Sequence, residues 1–316
     1  MLSIEKDQQA YMQRLLQAPR PGIDEVLAFY DHRVGVVGTD PRLMLLPLDD
    51  HMVHRGDGVF ETMKFVDGKL YQMEPHVERL TFSAQSIFLE PPCTWDELKT
   101  MIVDVSRAAS AQQGMVRVLL GRGPGGFGID ARECPRASLY IVVYKLHPRP
   151  EEAYKKGVTA SRCSMPAKNG LMAKIKSVNY LPNVLMKREA VESGCDYSLC
   201  FDDQGFLAEG AVENVCIVDD RGRVIVPELS NALTGTTLMR ALDAVTGDMP
   251  VLFRKVTEND IYLAREVILL GTTIDALSVV RFNKKPIHDV RPGPVSKRMR
   301  QFLIQDLRDN GITLSS

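Results

Sequence analysis

The stretch GVFETMKFVDGKLYQM, residues 58–73, carries the clearest local structural signal in the chain. Residues 58–66 and 69–73 are rich in β-branched and aromatic side chains, and Asp67-Gly68 lies between them. That dipeptide closes a two-residue hairpin at low cost, because both central positions of such a turn require positive φ. The reading is a β-hairpin. Directly behind it the apolar period lengthens to that of a helix: Val77, Leu80, Ala84, Ile87 and Phe88 fall on one face of residues 74–88, with Glu78 and Arg79 off the stripe. Thr94-Trp95-Asp96-Glu97 has the pattern of a capping box, and Leu98, Met101, Ile102, Val105 and Ala109 continue at helical spacing behind it. Strands are expected again at 115–120 and 138–145. Strands and helices therefore mix without regular alternation, and the fold class is α/β.

Working outward, residues 3–17 read as an amphipathic helix stopped by Pro19 and Pro21. HPRPEE, residues 147–152, has two prolines and no large apolar side chain, which predicts an extended connector. At roughly 150 residues per domain, 316 residues suggest two domains, placed at 1–147 and 148–316. The second reads as a strand at 158–163, a helix at 183–193, turns at 202–205 and 219–222, a helix at 236–245, strands at 267–270 and 277–282, and a closing helix at 294–307.

Composition removes several function classes. Lys plus Arg (39) balances Asp plus Glu (40), so no overall field recruits a polyanion, and nucleic acid is not expected as a partner. Hydrophobic residues at 45% and charged residues at 25% are those of a compact globular chain. No apolar run approaches the roughly 18 residues of a spanning helix, and the N-terminus is polar, so a cytoplasmic protein without a membrane partner is expected. The six cysteines are scattered, with no CxxC pair, and read as free thiols.

Two motifs invite readings that their context opposes. GRGPGGFG, residues 121–128, contains G-x-G-x-x-G after a strand, but a dinucleotide fingerprint must open a helix, and Pro124, the further glycines and Pro135 leave no room for one. His51, His54 and Asp57 suggest a metal-dependent hydrolase, the rival from another class. Gly56 and Gly58 argue against the helix that would put both imidazoles on one face, so no metal is expected.

A different set of residues carries more chemistry. Lys168, Lys174, Lys176 and Lys187 crowd one stretch, and Glu209 stands among apolar residues where a carboxylate needs a partner. Gly235-Thr236-Thr237 opens a helix, and Gly271-Thr272-Thr273 ends a strand. Both are turns rich in N–H and hydroxyl donors, suited to a phosphate. An amine, a carboxylate and two phosphate turns together are what pyridoxal phosphate requires.

HRGDGVFET (54–62), EPHVERL (74–80), IKSVNYLPNVLMKREA (175–190), AEGAVENV (208–215), LTGTT (233–237) and LGTTIDAL (270–277) resemble, in order and spacing, the class IV (fold type IV) pyridoxal-phosphate enzymes. These comprise branched-chain aminotransferases, D-amino acid aminotransferases and 4-amino-4-deoxychorismate lyases. The resemblance spans about residues 43–282. It implies a two-domain fold, a homodimer and pyridoxal 5′-phosphate. The implied reaction is transfer of an amino group between a branched-chain or D-amino acid and a 2-oxo acid, with release of pyruvate and 4-aminobenzoate from aminodeoxychorismate as the alternative. By the same resemblance Lys176 is the Schiff-base lysine and Glu209 faces the pyridine nitrogen. Arg79, Gly235, Thr236, Thr237, Thr272 and Thr273 hold the phosphate, and Tyr180 reaches the phenolic oxygen. D-amino acid enzymes trap the substrate carboxylate with an arginine and a histidine where this chain has Phe127 and Ile129. Branched-chain enzymes carry Tyr-x-Arg where it has Met115-Val116-Arg117. Phe60, Arg117 and Phe127 are the implied substrate contacts.

Overall fold

A computed structural model describes residues 4–314, which form two sheets. The first has seven strands, all antiparallel, in the order Ile312–Thr313, Lys69–Leu70, Gly58–Val66, Gly114–Gly121, Ser138–Tyr144, Val26–Asp31 and Val36–Gly38. Helices Met73–Ser86 and Trp95–Ala108 cover one face. Alternation along Gly58–Val66 sorts its side chains. Val59, Met63 and Phe65 enter the core under the helices, with Glu61 fully buried between them. Phe60, Thr62 and Lys64 take the opposite face, toward the second half of the chain.

The expected hairpin forms, with Asp67 and Gly68 both at positive φ. Its second strand, however, covers only Lys69–Leu70, because Gln72 turns left-handed (φ 54) and helix Met73–Ser86 begins at once. The short return leaves the backbone of residues 58–60 unpaired on that edge. A segment from the second half takes the place: the Phe60 N–H donates to Lys176 O at 2.9 Å, and the Val178 N–H donates to Gly58 O at 3.0 Å.

The second sheet has nine strands, and its central ones are buried on both faces. Val215 and Ile217 of Asn214–Val218, with Val267 and Leu269 of Glu266–Gly271, pack into one core. Cys216, Val218, Ile268 and Leu270 pack into another beneath helices Thr236–Leu242 and Pro294–Asn310. Continuous apolar runs in these strands are what two covered faces require.

Four further expectations are corrected. Helix 3–17 is Gln8–Gln17 within the described residues, started by Asp7, whose side chain accepts from the N–H groups of Gln9 and Ala10; residue 3 lies outside them. Phe88 is 91% exposed at φ 52 and does not join the apolar face; Leu89, 3% exposed, fills the core there. The connector is extended only to Pro150, after which Glu151–Lys156 is helical, with acidic side chains in its first turn and basic ones in its last. His51–His54 forms one helical turn, capped by Asp50, despite the glycines that follow. Among the described residues no helix is long and apolar enough to cross a membrane.

The capping box at Thr94 is complete: its hydroxyl accepts from the Glu97 N–H, and Glu97 accepts from the Thr94 N–H. Thr94→Ala should therefore lower stability by about 1 kcal/mol in denaturant unfolding. Because the cap lies remote from the interface between the halves, ligand binding should not change.

Candidate active site

Lys176 sits where the two halves meet. Its carbonyl is held by Phe60, its N–H donates to Ser83 Oγ at 3.1 Å, and its side chain turns into a cavity. There Nζ donates to Tyr180 Oη at 3.2 Å and lies 4.9 Å from the Phe60 ring centre. Burial, reinforced by the Arg79 guanidinium, lowers its pKa to about 8 against the pull of Glu61 and Glu209. Lys174, two residues away, is exposed and lines a different groove.

The same cavity is lined by Arg79, Lys168, Tyr180, Glu209, Gly235, Thr236, Thr237 and Thr272. Glu209 comes from strand Leu207–Gly210 and accepts from the Leu233 N–H at 3.2 Å. Burial raises its pKa to about 7, although Lys168 and Lys176 favour its charged form. Thr273 faces a neighbouring cavity, which it shares with Tyr180 and Asn183. Gly235 is required for close approach, since a Cβ there would lie 1.8 Å from Asn214 Oδ1. The Asn214 amide in turn donates to Leu233 O at 2.7 Å and fixes the turn that leads into helix Thr236–Leu242.

Arg79 does not stand free. Its Nε and Nη2 donate to both oxygens of Glu61, at 2.7 and 2.9 Å, and Nη1 donates to Thr234 O at 3.0 Å. Burial would raise the Glu61 pKa, but Arg79 and His76 outweigh it and hold the carboxyl well below its usual range. Burial lowers the pKa of His76, so its ring is neutral at physiological pH. Its Nδ1 meets Glu61 Oε2 at 2.7 Å and must donate, because a carboxylate only accepts. Nε2 is then the acceptor for the Thr236 hydroxyl at 3.2 Å. The Thr236 O–H is thus committed to His76, and its backbone N–H remains for a ligand.

Glu61, His76 and Lys168 were missed by the sequence reading. A signal existed for Glu61, a carboxylate at a core-facing strand position, and for His76, one helical turn before Arg79. Lys168 looked like any lysine of a charged stretch, and only the fold brings it within 5.1 Å of the Tyr180 ring centre.

The three implied substrate contacts separate. Arg117 is exposed, yet its guanidinium lies 5.6 Å from the Phe60 ring centre and donates to Tyr144 Oη at 3.1 Å and to Thr62 Oγ1 at 3.4 Å. Phe60 touches both Arg117 and Lys176. Phe127 is 68% exposed, packs against His54 and does not line the Lys176 cavity. His51 meets Gly126 O at 3.1 Å and both Asp57 oxygens accept from Arg122 at 3.0 Å, while His54 packs its ring against Phe127 with both nitrogens buried and unpartnered. Among the described residues no three His, Cys, Asp or Glu side chains converge as metal ligands.

The depressed pKa of Lys176 gives a pH prediction. The reactive, unprotonated amine should rise through a midpoint near pH 8 rather than 10.5, read by mass-spectrometric labelling with an amine reagent. A midpoint above 10 would mean that the amine is solvated.

The chain is similar to known proteins over most of its length. The family described as amino-transferase class IV matches residues 58–282. The chain is 33% identical over 294 residues to the chloroplastic D-amino-acid transaminase of Arabidopsis thaliana, covering 91% of this chain and 78% of that one. It is 25% identical over 260 residues to the branched-chain-amino-acid aminotransferase of Pseudomonas aeruginosa, covering 79% and 84%. A T.th. branched-chain amino acid aminotransferase solved with pyridoxamine 5′-phosphate superposes with a TM-score of 0.84 at 25% identity, covering 90% of this chain and 94% of that one. The cavity around Lys176 lies wholly inside the matched span, and the two sheets are those of the fold type IV enzymes. The chain therefore belongs to the class IV aminotransferases.

Proposed function

We propose that the cavity holds pyridoxal 5′-phosphate and that the chain, as a homodimer, transfers the amino group of a branched-chain or D-amino acid to a 2-oxo acid. The carrying observation is that one cavity gathers a lysine of lowered pKa, a buried carboxylate and a group of phosphate-type donors. These residues fit the cofactor at both ends. Arg79, Gly235, Thr236, Thr237 and Thr272 supply cation and N–H donors for the phosphate, with Thr273 beside them; Glu209 suits the ring nitrogen, and Tyr180 the phenolic oxygen. When bound, pyridoxal phosphate supplies an electrophilic carbon for the amino group and a ring that accepts electron density from the substrate Cα.

The chain's own groups do the rest. Lys176 Nζ, with a pKa near 8, takes the proton from the substrate Cα and returns one. Glu209 must be ionised to face a protonated ring nitrogen, and a positive partner favours that form. Arg117, framed by Phe60 and Tyr144, is the cation available for a substrate carboxylate on the Lys176 side of the first sheet. Phe127, on its exposed loop, has no contact with this cavity in its own chain.

Two measurements test the reading. Borohydride reduction of the holoenzyme should fix the cofactor to Lys176 in the peptide map, and Lys176→Ala should lose both the label and activity while staying folded; label on Lys168 or Lys174 overturns the assignment. Arg117→Ala should raise KM for the amino acid about tenfold or more, the loss of a charge-assisted hydrogen bond, and leave the cofactor spectrum unchanged. Wild-type KM in that variant would remove Arg117 from the substrate site.

A further inference from the structure

The Gly58–Val66 strand presents Phe60, Thr62 and Lys64 to the second half of the chain. Phe60 meets Lys176 and Lys64 meets Asp275, a residue 211 positions away in sequence, while Thr62 between them meets Arg117 of the neighbouring strand in the same sheet. The Lys64–Asp275 pair is enclosed, with side-chain exposures of 8% and 14%. Asp275 follows directly on Gly271-Thr272-Thr273-Ile274, a tight turn closed by the Ile274 N–H on Gly271 O at 3.1 Å. It pairs across the hairpin with Gly271 and has φ 54, a left-handed turn conformation that aspartate tolerates better than most residues. Tyr154 Oη holds the same turn from the other side, donating to Ile274 O at 3.1 Å.

We propose that Lys64 and Asp275 are positioning residues, an ion pair through which the first sheet sets the place of the Thr272–Thr273 turn relative to Lys176 and Arg117. The inference rests on the cofactor reading above, because Thr272 lines the cavity assigned to the cofactor. The geometric basis is that one strand face carries all three contacts. Phe60 and Lys64 are four residues apart on a rigid strand, so the distance between the lysine pocket and the turn is fixed by roughly 13 Å of extended backbone, at about 3.3 Å per residue. A surface ion pair would confer no such registry. An enclosed one does, because separating its partners leaves a charge without water.

The test uses the holoenzyme. Lys64→Met and Asp275→Asn should each speed loss of pyridoxal phosphate on desalting about tenfold, followed by absorbance. Each should also raise KM for the amino acid several-fold with a smaller change in kcat. The double variant should be no worse than either single one, because the two residues act as a unit. Lys64→Arg, which keeps the cation, should stay within about twofold of wild type. If the neutral variants fail to fold, Lys64→Arg/Asp275→Glu keeps both charges but lengthens the link, and should shift KM and cofactor retention without unfolding. Folded variants with wild-type cofactor retention and KM overturn the inference, as would additive effects in the double variant. A wild-type protein that takes up no pyridoxal phosphate would instead defeat the reading of the site itself.

Discussion

Two backbone hydrogen bonds hold the whole site together: Phe60 N–H to Lys176 O, and Val178 N–H to Gly58 O. They exist because the hairpin's return strand stops after two residues, leaving an open edge inside the protein. An unpaired strand edge that is buried is costly unless another segment pairs with it. Here the segment that does so carries the site lysine. The geometry of Lys176 relative to Phe60, Arg117 and Ser83 is thus a property of a sheet edge, and the two halves cannot separate without exposing it.

The charges around that lysine form a balanced set. Arg79 is paired with Glu61, and Lys168 and Lys176 face Glu209. Burial pushes Glu61, Glu209 and Lys176 toward their neutral forms, and the opposite charges around them resist it. At Glu61 the partners win outright, because Arg79 forms a two-pronged contact and His76 adds a third. At Glu209 burial wins, and the carboxyl is left with a pKa of about 7. The two carboxylates of one site are therefore set to different tasks by their neighbours: one fixed as an anion to orient an arginine, the other responsive to what enters the cavity.

Much of this was legible in the sequence, for identifiable reasons. The hairpin turn and the capping box are local chemistry, and a few residues decide them. The lysine, the carboxylate and the two Gly-Thr-Thr turns lie far apart in the chain but carry recognisable composition and order. What failed depended on contacts between distant segments. Phe88 satisfies a helical period on paper, yet the helix ends before it and the chain turns left-handed. Gln72 does the same to the return strand. Arg79 was found without Glu61 and His76, because their relation crosses from strand to helix. Pro148 and Pro150 predict an extended connector, but Glu151 and Glu152 already open the next helix.

Residues 312–314 return to the first sheet. Strand Ile312–Thr313 pairs with Lys69–Leu70, the Leu314 N–H donates to Gly68 O at 2.8 Å, and Leu314 packs in the first core. The first sheet therefore has an outer strand that emerges about 240 residues after the hairpin it must cover. At a synthesis rate of about 5–20 residues per second, that edge waits roughly 10 to 50 s for its partner. The open edge at residues 58–60 is covered sooner, by residues 176–178, whereas the return strand stays uncovered until residues 312–314 have been made, so the first sheet has to remain a folding intermediate over that interval.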